Sequence, residues 1–208
     1  MRTLPLGGVL CLIFGCMSAW AQGAPALDTF TSPDGAFQFV YPETYELLVG
    51  ERILKATQTR RAGIPVCNFS TAFACVMYPI EVQEETPFEA AAFSVGTVPG
   101  IVAESDCLSY ADKVTPSHIE ALQVTAISIN DHVFRHASAK RKVAGHVQAT
   151  DLYRTYIKQT CYELQINVSV SADLQVQKQS APITAVDGRA NIAHEALRLV
   201  LSSFVFRE

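Results

Sequence analysis

Histidines are the first residues to weigh for chemistry. His132 and His136 stand four apart, a spacing that lets two imidazoles share a metal ion on a helix. Their segment alternates like a strand, where residues four apart share a face at a distance of about 13 Å, too far to hold one ion. His146, on the strand expected to fold back beside them, is the residue placed to approach either across the hairpin. His194-Glu195 begins like a zinc-protease helix, but Arg198 stands where the second histidine belongs. Glu81, Glu84, Glu85 and Glu89 supply carboxylates without the ligand spacing and turn glycine of a calcium loop, so a solvated acidic connection is expected. Lys140-Arg141-Lys142 reads as a solvated turn that blunts a sheet, not a phosphate site.

Asn68-Phe69-Ser70 and Asn167-Val168-Ser169 have the form of glycosylation acceptors. There is no G-x-S-x-G, phosphate-binding loop or dinucleotide fingerprint. Acid and base partners can lie far apart along a chain, so an enzyme would need a site assembled from dispersed residues, around the five histidines and 171–188. No catalytic residue, metal ligand or cofactor is assigned, and the ligand-binding residues stay unknown.

Cysteines carry a clearer message. Cys11 and Cys16 fall in the first 21 residues, leaving Cys67, Cys75, Cys107 and Cys161. An even number in an exported chain points to disulfides. Four cysteines allow three pairings; Cys67–Cys75 with Cys107–Cys161 is expected, since the first pair flanks a short segment able to double back. Without a C-x-x-C spacing, zinc is the weaker reading.

Export itself is read from residues 1–21. They hold one charge, Arg2, then an apolar run from Leu4 to Met17 and a small-x-small end at Ala19-Trp20-Ala21, the plan of a secretory signal peptide. A rival is a lipoprotein signal at Gly15-Cys16, which would anchor the chain to a membrane by an acylated Cys16. With Arg2 gone, 15 of the 16 basic residues remain against 20 acidic ones, a net charge of −5. That balance argues against nucleic acid as a partner. A composition of 49% hydrophobic and 17% charged residues excludes a disordered, collagen-like or coiled-coil chain.

The elements that must position these side chains follow from turns and periodicity. Residues 22–28 read as a tether and 29–208 as one domain. Ser32-Pro33-Asp34-Gly35 is a tight turn into a strand whose Phe37, Phe39 and Tyr41 share a face. Residues 66–78 read as strand-rich, 90–95 as another strand or a short buried segment, and 97–115 as irregular. Strands over 124–129, 132–140, 146–156 and 161–170 form an antiparallel meander with one buried face. On the last, Tyr162, Leu164, Ile166, Val168 and Val170 line one side, with Cys161, Glu163, Gln165, Asn167 and Ser169 on the other. A helix over 190–201 carries an apolar stripe of Ile192, Ala193, Ala196, Leu197 and Val200, and 203–206 is extended.

The run Ser32-Pro33-Asp34-Gly35-Ala36-Phe37-Gln38-Phe39-Val40-Tyr41-Pro42 resembles the opening of the PsbP-like (Mog/PsbP) fold family, where a hairpin leads into an aromatic strand ending in Tyr-Pro. The later order is similar too: Asp151-Leu152-Tyr153-Arg154 in a meander, Cys161-Tyr162-Glu163-Leu164, then a helix running into Leu201-Ser202-Ser203-Phe204-Val205-Phe206. This last pattern resembles exported bacterial proteins of uncharacterised function. Tyr45 stands where such proteins often carry Trp, and the four cysteines are not shared as a set by the plant and nuclear-import members. The resemblance implies an α+β fold, an antiparallel sheet of about six strands with helices packed on its faces. It also implies an accessory, chaperone or binding role, with another envelope or secreted protein as partner. A periplasmic or extracellular non-catalytic binding protein is therefore the expectation; a hydrolase or metal-dependent enzyme is the alternative.

Overall fold

The computed structural model describes residues 25–53, 66–67, 72–79, 87–110, 123–143, 145–171 and 188–207. The leader at 1–21, Cys16, His118, Glu81, Glu84, Glu85, Asn68 and most of the 171–188 segment lie outside these.

The chain opens as the turn chemistry predicts. Strands β1 (Leu27–Thr31) and β2 (Phe37–Pro42) pair antiparallel around the 32–35 turn, where Gly35 takes a positive φ of 73°. Ser32 Oγ accepts from the Phe37 amide at 3.1 Å and Asp34 Oδ1 from the Ala36 amide at 3.1 Å, closing the turn from inside. Leu27 and Asp28, expected in the tether, are paired with Pro42 and Tyr41. The tether therefore gives its last two residues to β1.

The main sheet is antiparallel throughout and runs β3-β4-β5-β9-β8-β7-β6. Its strands are β3 (Glu46–Val49), β4 (Ala72–Met77), β5 (Phe88–Thr97), β6 (Gln123–Ile129), β7 (His132–Val143), β8 (His146–Ile157) and β9 (Thr160–Ser171). The last four form the expected meander, with two-residue turns at 130–131 and 158–159 and Val143 paired to His146 between β7 and β8. Lys140, Arg141 and Lys142 lie within β7, ahead of the turn and not in it. β10 (Val205–Phe206) joins β2 to complete a small sheet ordered β1-β2-β10.

Helices cover opposite faces of the main sheet. α1 (Glu104–Ser109) sits within the 97–115 segment read as irregular; six residues without a side-chain N-cap give too little periodicity to detect. α2 (Gly188–Ser202) packs on β5, β9 and β2 and buries Ala190, Ala193, Leu197, Val200 and Leu201. Ile192, placed on the buried stripe by the sequence, is 60% exposed; the stripe follows Ala190–Ala193–Leu197–Val200–Leu201 and leaves it outside. The core between α2, the small sheet and the large one is aromatic, with Phe37 against Phe204 at 5.3 Å and Phe39 edge-on to Phe93 at 5.3 Å. At the end of α2, the Asn130 amide donates to the carbonyls of Ser202 (3.2 Å) and Phe204 (2.5 Å), so a turn residue closes the helix.

The meander was expected to bury one face. It buries both. Glu163, Gln165, Asn167 and Ser169 of β9, with Gln148 and Arg154 of β8, are as enclosed as the apolar side. α1 lies over β8 on this face, and residues 66–67 reach it as well, the Val66 carbonyl accepting from Asn167 Nδ2 at 2.7 Å. Alternation identifies the two faces of a strand; it does not reveal what other segments lie against them.

Candidate functional site

Asp151 is the centre of the most chemically capable cluster. It lies on the α2 side of β8, opposite Ser138 of β7, two residues along from His136. His194 reaches it from α2. The four side chains thus come from three elements. His194 Nε2 lies 2.7 Å from Asp151 Oδ2, and His136 Nε2 lies 3.2 Å from Oδ1. Ser138 Oγ donates to Oδ1 at 2.5 Å. Beneath, the Tyr153 ring stacks on His136 with centroids 4.6 Å apart.

The electrostatics follow from that crowding. Burial alone would raise the Asp151 carboxyl, but the hydrogen bonds from His136, His194 and Ser138 hold it well below the ordinary carboxylate value. The Asp151 hydrogen bond likewise raises the His194 imidazole above its ordinary 6.5, against the effect of burial. Burial first, then the Asp151 charge, pushes the Tyr153 hydroxyl up.

A second carboxylate is arranged the same way. Glu89 Oε1 lies 2.6 Å from His146 Nδ1, and Oε2 accepts from Ser169 Oγ at 2.9 Å. His146 therefore approaches neither His132 nor His136. His132 packs edge-on against Phe206 at 4.9 Å, whereas His136 faces Asp151.

Hydrolysis by a serine needs the order hydroxyl, histidine, carboxylate, with the two ring nitrogens facing different groups. Here the carboxylate is in the middle. Ser138 Oγ and Asp151 both lie toward His136 Nε2, and Ser169 reaches Glu89 without touching His146. Ser169 is also buried. Among the described residues no group of three or more His, Cys, Asp or Glu is arranged to hold a metal ion. The clusters join elements and hold charge.

On the other face a third arrangement stands in the interior. Arg154 Nη2 lies 2.5 Å from Glu163 Oε2, and both side chains are excluded from solvent. Gln165 Nε2 donates to Glu163 Oε1, the Cys107 carbonyl accepts from Arg154 Nη1 at 3.3 Å, and the guanidinium lies 4.8 Å above the Tyr110 ring. The Cys107–Cys161 disulfide, Cα atoms 5.6 Å apart, ties α1 to β9 beside this pair. Cys67–Cys75, Cα atoms 6.0 Å apart, is the other bridge, so the structure closes the two pairings set out from the sequence. Asn167, part of a glycosylation triplet, is buried with its amide engaged by Val66 and Gln165, and cannot accept a glycan in the folded chain. Asp151, Arg154 and Glu163 entered the sequence reading only through strand pattern and resemblance, and Ser138 not at all; none was named as a site residue. The available signal was a charged residue in the middle of a strand, where charge is disfavoured unless it is partnered.

No family model matches this chain, and no curated protein does. Solved structures do. A variant of the protein Mog1 aligns with 86% of this chain and 95% of its own length at 10% identity, with a TM-score of 0.51. LpqN, involved in cell envelope biogenesis of Mycobacterium tuberculosis, aligns with 88% and 91% at 10% identity and a TM-score of 0.46. Cyanobacterial PsbP from Synechocystis aligns with 91% and 98% at 11% identity and a TM-score of 0.42. At such identities the likeness is one of fold. The chain has an α+β fold shared with Mog1, as the resemblance to the Mog/PsbP-like fold implied, with seven strands in the main sheet where about six were expected. Among the described residues no helix is long and apolar enough to cross a membrane.

Proposed function

We propose that this chain is an exported, disulfide-held, non-catalytic binding or accessory protein that works with another envelope or secreted protein. The observation that carries this reading is the position of its carboxylates. Asp151 and Glu89 each meet a histidine and accept from a serine hydroxyl, at 2.5 and 2.9 Å, so each serine directs its proton to a carboxylate. Two disulfides suit an oxidising compartment, and residues 1–21 have the plan of an export signal.

One contact favours the hydrolase alternative. Thr125 Oγ1 lies 3.4 Å from His136 Nδ1 while Asp151 faces Nε2, which puts a hydroxyl and a carboxylate on opposite sides of one ring. Ester-hydrolysing activity lost on His136→Ala would establish it and overturn the binding reading.

Native mass spectrometry of the protein recovered from its own cells is the direct test. A chain beginning at Gln22, four hydrogens light and bound to a second protein, is the expected result. A chain beginning at an acylated Cys16 would make it a membrane-anchored lipoprotein. A stoichiometric metal or small-molecule adduct would revive the enzyme reading against this one.

A further inference from the structure

The two ends of the main sheet are finished differently. β3, at one end, has four residues and begins with Glu46; a short, charged edge discourages pairing with other chains. β6, at the other, runs seven residues, Gln123–Ile129, with no charge and no proline. Val124, Thr125, Ala126 and Ser128 are exposed, and among the described residues β6 pairs only with β7.

The direction of its free backbone groups follows from the register. Ile129 and His132 flank a two-residue turn and so exchange hydrogen bonds. Alternation along the ladder then places Ile127 and Thr125 in bonded pairs. It turns the N–H and C=O of Val124, Ala126 and Ser128 toward the open edge. Counting from Val143 opposite His146 directs the odd residues of β7 to β8, which agrees.

We infer that β6 is the docking edge for a second copy of this chain, pairing antiparallel with its own counterpart about a twofold axis through Ala126. Two seven-stranded sheets then continue as one. The strand is self-complementary in that register. Val124 of one copy faces Ser128 of the other, Thr125 faces Ile127, and Ala126 faces itself, so that each outward donor meets an outward acceptor and no charges oppose. Val133, 64% exposed, lies beside Ser128, and only that small side chain separates it from Val124 of the other copy, itself 37% exposed. Apolar surface from both copies is brought together on one face. The exposed Arg135 lies beside Ala126, so the two copies' arginines stand three strand spacings apart, about 14 Å, where salt screens them. An extended segment of an unrelated protein would use the same backbone groups but would draw nothing from this match of the strand with itself.

Sedimentation velocity of the full exported chain over a wide concentration range tests the inference. The expected result is a reversible monomer–dimer equilibrium. Ala126→Lys, which sets like charges face to face at the axis, weakens it at least roughly tenfold, with an unchanged melting temperature because the position is exposed in the monomer. Ala126→Val keeps the dimer. Should Ala126→Lys lower the melting temperature, Ser128→Lys, at the next outward position, is the deciding variant. A wild-type chain that stays monomeric throughout overturns the inference, whether or not it takes up a strand-forming peptide. So does a dimer that persists through both lysine variants.

Discussion

His194 on α2 and Asp151 on β8 meet at 2.7 Å across 43 positions of sequence, and this contact is where the helix is tied to the meander by charge. Asn130 closes the C-terminal end of α2 by donating to the Ser202 carbonyl, and the buried stripe of the helix is apolar. A helix held mainly by non-directional burial can slide or rotate at modest cost; one ion-paired side chain sets its register.

The pair makes stability depend on pH in a defined direction. The His194 pKa is raised in the folded chain, so its contribution is complete below the ordinary 6.5 and is lost as pH rises through the folded value. The Asp151 pKa is lowered, so its contribution is complete above the ordinary 3.8 and is lost as pH falls toward the folded value. Wild type should therefore exceed His194→Ala by the widest margin between about pH 4 and 6.5, by about 1.5–3 kcal/mol for a charged hydrogen bond. Urea midpoints of the two proteins across that range check it; a gap that is constant up to pH 9 would contradict the pairing.

Arg154 and Glu163 should behave as a unit. Glu163→Ala leaves the guanidinium buried without its carboxylate and is expected to cost about 3–5 kcal/mol. Replacing both, Arg154→Met with Glu163→Leu, removes the charge and should recover much of that loss. The comparison is a denaturant titration of the single and double variants, and equal losses would show that the pair is not the source.

The disulfides should differ in weight. Closing the 54-residue separation of Cys107–Cys161 is worth roughly 4 kcal/mol by loop entropy, and the 8-residue separation of Cys67–Cys75 roughly 2.6. Cys107→Ala with Cys161→Ala should lower the melting temperature more than Cys67→Ala with Cys75→Ala. The longer bridge also holds α1 over the Arg154–Glu163 pair, so its loss should be the larger even where the entropy estimate is halved.

Lys158 and Gln159 form the β8–β9 turn with φ of 48° and 61°, a conformation that favours glycine or asparagine. Gln159→Gly should stabilise by about 1 kcal/mol, seen as a melting temperature higher by a few degrees. A fall would mean that the side chain makes contacts outweighing the backbone cost.

Much of this was readable from residues alone, and the particular successes share a cause. The β6–β9 meander, the opening hairpin and α2 are set by local rules: turn residues that stop a strand, a period of two, a period of 3.6. The strand bounds came within three residues because Asn130-Asp131 and Lys158-Gln159 interrupt the pattern on the spot. α1 escaped because six residues carry less than two turns of periodicity. Ile192 was misplaced because an apolar residue at the margin of a helical stripe lies within reach of either side.

Whatever depends on long-range juxtaposition was decided only by the tertiary structure. The number and spacing of cysteines made disulfides the expectation, but α1 lying on β8 is what brings Cys107 to Cys161. The alternation of β9 separated Glu163, Gln165, Asn167 and Ser169 from the apolar side, yet nothing local showed that they would be buried. His136, Asp151 and His194 look unrelated along the chain, since β7, β8 and α2 each present one of them. Sequence pattern acts over a few residues, where sterics and hydrogen bonding decide. Burial and ion pairing depend on which surfaces meet, and that is settled when the sheet, its helices and its two bridges pack together.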